Sequence, residues 1–185
     1  MKYDEMKRKV LALIEEINPD NENLTDDPDI TAKYDYVLNQ VMYEMARIKK
    51  IPAYMEMDVT AGELIHFSDI TDATDHDVYQ IDIIRGVPYE RKAQGTVYKM
   101  LEAGLAEIEY FRYPTRVTEK NRARYEFELS DDALEIMPYG IAADLLKSDI
   151  SAEYGNVYAA RCEQMKQSLD PRYQMQYITI EGGIG

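Results

Sequence analysis

Reactive side chains are scarce in this chain: His66, His76 and Cys162 are its only imidazoles and its only thiol. His76 sits in Thr71-Asp72-Ala73-Thr74-Asp75-His76-Asp77, where Asp72, Asp75, His76 and Asp77 offer the oxygen and nitrogen donors that a divalent metal takes. The spacing argues against such a site. No second histidine follows one helical turn on, and the internal glycine and closing glutamate of a calcium loop are missing. Cys162 falls on an apolar helical position with no histidine near it in sequence, so it reads as a core thiol rather than a nucleophile. Ser130 and Ser151 stand where helices start and read as caps whose hydroxyls accept from first-turn amides. No glycine-rich run precedes a helix to cradle a phosphate, and Gly182-Gly183 is a pair at the chain's end. The expectation is no catalytic residue, no cofactor, no metal and no enzymatic activity.

The elements that would have to position any site are legible from periodicity. Met6, Val10, Leu13, Ile14 and Ile17 mark one helical face over about Tyr3 to Ile17. Asp27-Pro28 opens a longer helix with the stripe Ile30, Tyr34, Val37, Leu38, Val41, Met45 and Ile48. The clusters Lys7-Arg8-Lys9 and Arg47, Lys49, Lys50 read as solvated helix faces. At Pro52 the period changes to alternation, as in Met55, Met57 and Val59, in Tyr79, Ile81 and Ile83, and in Ala106, Ile108 and Tyr110. Turn signals at Ala61-Gly62, Arg85-Gly86, Gln94-Gly95 and Ala103-Gly104 recur at a spacing that predicts an antiparallel meander of five or six short strands. The stretch 113–129 carries Arg116, Lys120, Arg122 and Arg124 without an apolar stripe and reads as a solvated crossing. It ends in the alternating Tyr125-Glu-Phe-Glu-Leu129.

A helical hairpin follows. Pro138 predicts a break between a short segment, Asp131 to Met137, and a helix from Pro138 to Lys147. Ala142 and Ala143 are small enough for another backbone to come close, within the subunit or from a neighbour. The second helix has apolar positions Tyr154, Tyr158, Cys162, Met165 and Leu169, until Pro171 stops it. Beyond it Tyr173, Met175, Tyr177, Ile178 and Ile180 form a β-prone run suited to adding onto a sheet edge. The expected fold class is therefore α+β. Its helical body comprises 1–50 and 130–170, its inserted antiparallel β-domain 51–129, and its extended docking tail 171–185.

Composition narrows the function classes. The 185 residues carry a net charge of −14. So acidic a surface repels phosphate backbones and disfavours nucleic-acid binding, leaving a sequence-specific DNA contact through Arg116–Arg124 as a minor alternative. One cysteine excludes an internal disulfide. The opening MKYDEMKRKV is too charged for a signal peptide, and no apolar run approaches about 20 residues, so the expectation is an intracellular, soluble protein without a membrane partner. Sixteen tyrosines against three phenylalanines and no tryptophan suit either a sheet protein or surfaces covered by a partner.

The segments Pro138-Tyr-Gly-Ile-Ala-Ala-Asp-Leu-Leu146 and Ser151-Ala-Glu-Tyr-Gly-Asn156, with the order of elements, resemble head-tail connector proteins of tailed bacteriophages. These adaptor or head completion proteins include the group related to tail tubular protein A. The resemblance implies a structural virion protein at the phage neck, made in the host cytoplasm. It would form a ring, commonly dodecameric, beneath the portal protein. Its other partners would be neighbouring copies of itself, a downstream tail or stopper protein, and genomic DNA passing without sequence-specific binding. It carries over no catalytic position. The expected interface set is Tyr173, Met175, Tyr177, Ile178, Ile180, Ala142, Ala143, Tyr154 and Tyr158. Alternatives are another neck or tail ring protein, such as a stopper or tail terminator, and a small metal-binding regulatory protein.

Overall fold

The computed structural model describes residues 1–18, 20, 24–70, 77–147 and 152–169. Helices α1 (Tyr3–Leu13) and α2 (Pro28–Ile48) come first. Six strands follow: β1 (Ile51–Val59), β2 (Leu64–His66), β3 (Val78–Arg85), β4 (Tyr89–Lys92), β5 (Val97–Met100) and β6 (Gly104–Arg112). Helices α3 (Asp131–Leu146) and α4 (Ala152–Ser168) complete the described chain. The fold class is α+β, with helices at both ends and antiparallel strands between them.

Asp27 starts α2 by accepting from the Asp29 and Ile30 amides at 2.8 and 3.3 Å, with Pro28 in the first turn where its missing N–H costs nothing. Tyr34, Val37, Leu38, Val41 and Met45 of the expected stripe are buried. The α1 stripe is shorter than its periodicity implies. Glu15 takes a left-handed φ of 59°, the Glu16 amide donates back to the Leu11 carbonyl, and Ile17 is left largely exposed.

The central helix is α3, which packs on α1, α2 and α4. Pro138 does not divide it: the helix runs unbroken from Asp131 to Leu146. Proline in a helix interior costs about 3 kcal/mol, chiefly a lost bond to the Leu134 carbonyl and a ring clash. Burial around the whole helix offsets this, since Leu134, Ile136, Met137, Ile141, Ala142 and Leu145 are all enclosed, several completely. Ser130 occupies the N-cap position but makes no side-chain cap. Its hydroxyl donates to the Asp132 carboxylate, which itself accepts from the Ala133 amide at 2.9 Å. Ser151 lies outside the described residues. Two glycines allow close packing: a Cβ on Gly140 would stand 3.1 Å from Val41 Cγ1, and one on Gly155 3.3 Å from the Ala143 carbonyl.

The strands do not form a meander. They make two three-stranded antiparallel sheets, ordered β1-β6-β3 and β2-β5-β4. Turn residues fix where the chain reverses, whereas partners are chosen by which faces can be buried together. In β3 the register slips between Val78 and Gln80 and again between Ile81 and Ile83. Ile81 and Ile84 consequently reach the core and Ile83 does not, which breaks the alternation expected there. The inner faces of the two sheets share one apolar cluster containing Ile65, Ile81, Tyr98, Met100, Ile108 and Tyr110, so the β part is a two-layer unit.

The stretch 113–129, assigned by its composition to the β region, packs instead with the helices. Val117, Tyr125, Phe127 and Leu129 are buried in the helical cluster. Asn39 clamps it: its amide nitrogen donates to the Val117 carbonyl at 2.9 Å, and its oxygen accepts from the Val117 amide at 2.8 Å. The alternating piece lies beside the N-terminus, with the Tyr3 and Phe127 amides donating to the Tyr125 and Met1 carbonyls, each at 3.1 Å. The two apolar clusters meet at a tyrosine seam. Tyr113 lies 4.8 Å, ring to ring, from both Tyr43 and Tyr79, and the Tyr79 hydroxyl donates to the Ala46 carbonyl at 2.9 Å.

Candidate interaction surfaces

Tyr154 and Val157 project from α4 with 68% and 64% of their surface exposed. The buried side of α4 is carried by Gly155, Cys162 and Leu169, a heptad spacing, with Tyr158 and Met165 partly buried alongside. Tyr154 is thus one position out of phase with the inward stripe expected for it. Tyr158 bridges to α1, its hydroxyl donating to the Leu13 carbonyl. Below Tyr154 lies a concavity of about 240 Å³ lined by Leu13, Ile14, Glu15, Leu146, Tyr154 and Tyr158.

Ala142 and Ala143 are buried inside the subunit, and it is at the Ala143 carbonyl that α4 comes close, through Gly155. Tyr173, Met175, Tyr177, Ile178 and Ile180 lie outside the described residues, as do Asp72, Asp75 and His76. Among the described residues no group of three or more histidine, cysteine, aspartate or glutamate side chains is placed to hold a metal ion. Burial raises the Cys162 thiol pKa, which suits a core thiol.

In the first basic cluster Arg8 and Lys9 are exposed, as a solvated face requires, and only Lys7 departs from it. Lys7 is buried with its ammonium 5.5 Å from the centre of the Tyr34 ring, and burial lowers its pKa. Beside it the Tyr3 hydroxyl donates to Asp35 at 2.5 Å. Lys49 reaches Asp132 at 2.6 Å and so ties the end of α2 to the start of α3, while Lys50 lies over the Phe111 ring. Arg116, Lys120, Arg122 and Arg124 are exposed, as expected of a solvated crossing.

The β unit presents two outer faces of unlike character. On the β1-β6-β3 sheet, Tyr54, Glu56 and Asp58 stand opposite Glu109, Glu107 and Leu105. Arg85 is paired with Glu109 there. The surrounding carboxylates raise the Tyr54 phenol to about 12, led by its hydrogen bond to Glu56 at 2.7 Å. An open concavity of about 400 Å³ crosses this face, lined by Pro52, Tyr54, Asp82, Glu109 and Phe111 among others. On the β2-β5-β4 sheet the outer face carries Leu64, His66, Glu90, Lys92 and Lys99, with Leu101 at the end of β5.

Val157 and the two sheet faces were not marked by sequence periodicity as contact surfaces. The seven-residue spacing of Gly155, Cys162 and Leu169 would have turned Tyr154 and Val157 outward. No helix among the described residues is long and apolar enough to cross a membrane. No protein-family model matches the chain, and comparison with curated proteins finds no match.

Proposed function

We propose that the chain is a structural, non-enzymatic virion protein of a tailed phage, a head-tail connector. Copies would form a ring between the portal protein and the next tail component and extend the DNA channel. The observation that carries this reading is the placement of uncovered apolar side chains on separate sides of the molecule. Tyr154 and Val157 stand on α4, Tyr54 and Leu105 on one sheet face, and Leu64 and Leu101 on the other. A ring subunit needs contacts on two flanks and along the axis, whereas a single binding site needs one patch. The net charge of −14 supports the same reading, because DNA slides past carboxylates that it cannot hold by releasing counterions.

Tyr173–Ile180 is the segment proposed to dock on the portal by strand addition. The test is to mix the purified chain with the portal protein of the same genome and image the mixture by electron microscopy. A ring capping the portal is expected, and its loss when residues 171–185 are deleted. Portal particles that stay bare at saturating concentration would refute the connector role.

A further inference from the structure

We propose that neighbouring copies join head to tail through the β unit, the acidic outer face of one copy docking on the basic outer face of the next. The inference rests on the ring reading for its biological setting, but its evidence is separate. The two sheets pack their inner faces together, so their outer faces point in opposite directions from one thin two-layer unit. One outer face carries Glu56, Asp58, Asp82, Glu107 and Glu109 against Arg85, with Lys50 over Phe111 at its edge. The other carries Lys92 and Lys99 against Glu90, and since Lys92 is paired with Glu90 at 2.5 Å its excess is one positive charge, centred on Lys99, in a chain whose net charge is −14.

Each face also holds two large apolar side chains about half exposed, Tyr54 and Leu105 on the acidic side and Leu64 and Leu101 on the basic side. Apolar residues framed by complementary charge are the makings of a specific contact, with the charges setting the partner and the apolar pair supplying contact area. Glu107 stands between Glu56 and Arg85, and because Arg85 is paired with Glu109 the like-charge contact of Glu56 with Glu107 is only partly offset within one subunit. A lysine arriving from a neighbour relieves that repulsion. Because the faces differ, the contact is heterologous: each copy offers one face and uses the other, which generates a ring when the rotation closes.

The occupant is a second copy rather than nucleic acid. The acidic face repels phosphate, and the basic face has too few cations to hold a DNA backbone against the charge of the whole chain. That net charge also makes copies repel each other at low salt. A Debye length of about 8 Å at 0.15 M screens the repulsion while leaving pairs in contact attractive, so association should be best near physiological salt.

Charge reversal with a mixing control tests the contact by sedimentation of the full chain at up to about 1 mM in 0.15 M salt. The wild type is expected to associate. Glu56→Lys with Asp58→Lys and Glu107→Lys makes both faces basic, leaving Asp82 and Glu109 against four cations, and Lys99→Glu makes both acidic. Each variant alone should lose association by about tenfold or more, and a one-to-one mixture should recover it, since every contact in an alternating chain is again complementary. Lys99→Gln, with no new charge opposite Glu90, should show a smaller loss and guards against misfolding as the cause. A wild type that remains monomeric, variants that associate as it does, or a mixture that fails to recover would each overturn the proposal. Rings that form on a portal regardless of these reversals would remove this contact and leave the connector role. Association through these faces that never caps a portal would do the opposite.

Discussion

Replacing Asn39 by alanine should be among the most damaging single changes in the helical body. The Asn39 side chain satisfies both backbone groups of Val117, a residue 78 positions away, at 2.8 and 2.9 Å, and also donates to the Asp35 carbonyl at 2.7 Å. Val117 is buried, so truncation leaves its N–H and C=O without partners, at about 1–3 kcal/mol each. The Asp35 carbonyl still accepts its helical bond and adds little. The expected loss is therefore about 4 kcal/mol, a large part of the roughly 5–15 kcal/mol available to a domain. Chemical denaturation should show the midpoint fall with little change in slope, and the thermal midpoint should drop by roughly 8–16 °C. Asn39→Asp keeps the acceptor for the Val117 amide but sets a buried carboxylate against the Val117 and Asp35 carbonyls, so it should recover nothing at neutral pH. A cost below about 1 kcal/mol for Asn39→Ala would mean that the stretch 113–129 is not held by this clamp.

Gly86 has a φ of +83°, and a Cβ there would lie 2.3 Å from the Leu105 carbonyl oxygen, so Gly86→Ala should cost about 3 kcal/mol or more in a denaturation series. Gly62→Ala, at a φ of +86° but in open space, should cost only about 1 kcal/mol. Glu128 is pushed up by burial but held lower overall by hydrogen bonds from Thr115 and Arg112, below its ordinary 4.5. A depressed carboxyl contributes stability that is present above about pH 4.5 and lost as pH falls through the folded-state value. Glu128→Gln should accordingly flatten part of the acid limb of a stability-pH profile. Cys162, buried with its thiol pKa raised, should react with a thiol reagent at least about a hundredfold more slowly in the native chain than in denaturant, as followed by mass spectrometry.

Much of the fold was legible because one-sided burial writes itself into spacing. Tyr34, Leu38, Val41 and Met45 recur on the buried side of α2, and Ala106, Ile108 and Tyr110 alternate because β6 has one buried face. The misreadings arise where burial is not one-sided or not local. Pro138 looks like a stop signal from its own chemistry, yet it is itself buried in a helix whose Leu134, Met137, Ile141 and Ala142 are enclosed, where packing outweighs the lost bond. The meander failed because β1 and β3 both pair with β6, a choice that turn residues do not encode. Val117 is the sole apolar residue between Thr115 and Ala123, so nothing local marks it as an anchor.

The surfaces were less legible than the core. Gly155 has no side chain to register as apolar, yet its lack of one is what lets α4 approach the Ala143 carbonyl. Reading Tyr154 in its place misplaced that one residue of an otherwise correct stripe, with Cys162 and Leu169 buried, and left Val157 unmarked. The carboxylates of β1 and β6 are ordinary solvated positions in sequence. Only the pairing of Glu56 with Glu107 makes them a face. The tyrosines prove to be divided, with Tyr43, Tyr79 and Tyr113 filling an internal seam while Tyr36, Tyr54 and Tyr154 face outward.

The proposed connector role is tested most directly by cryo-electron microscopy of the joint between portal and tail in particles that carry this chain. A ring of density directly beneath the portal is expected, into which this fold fits, with the two-layer β units of adjacent copies in contact. Particles with joined heads and tails but no such ring would contradict it.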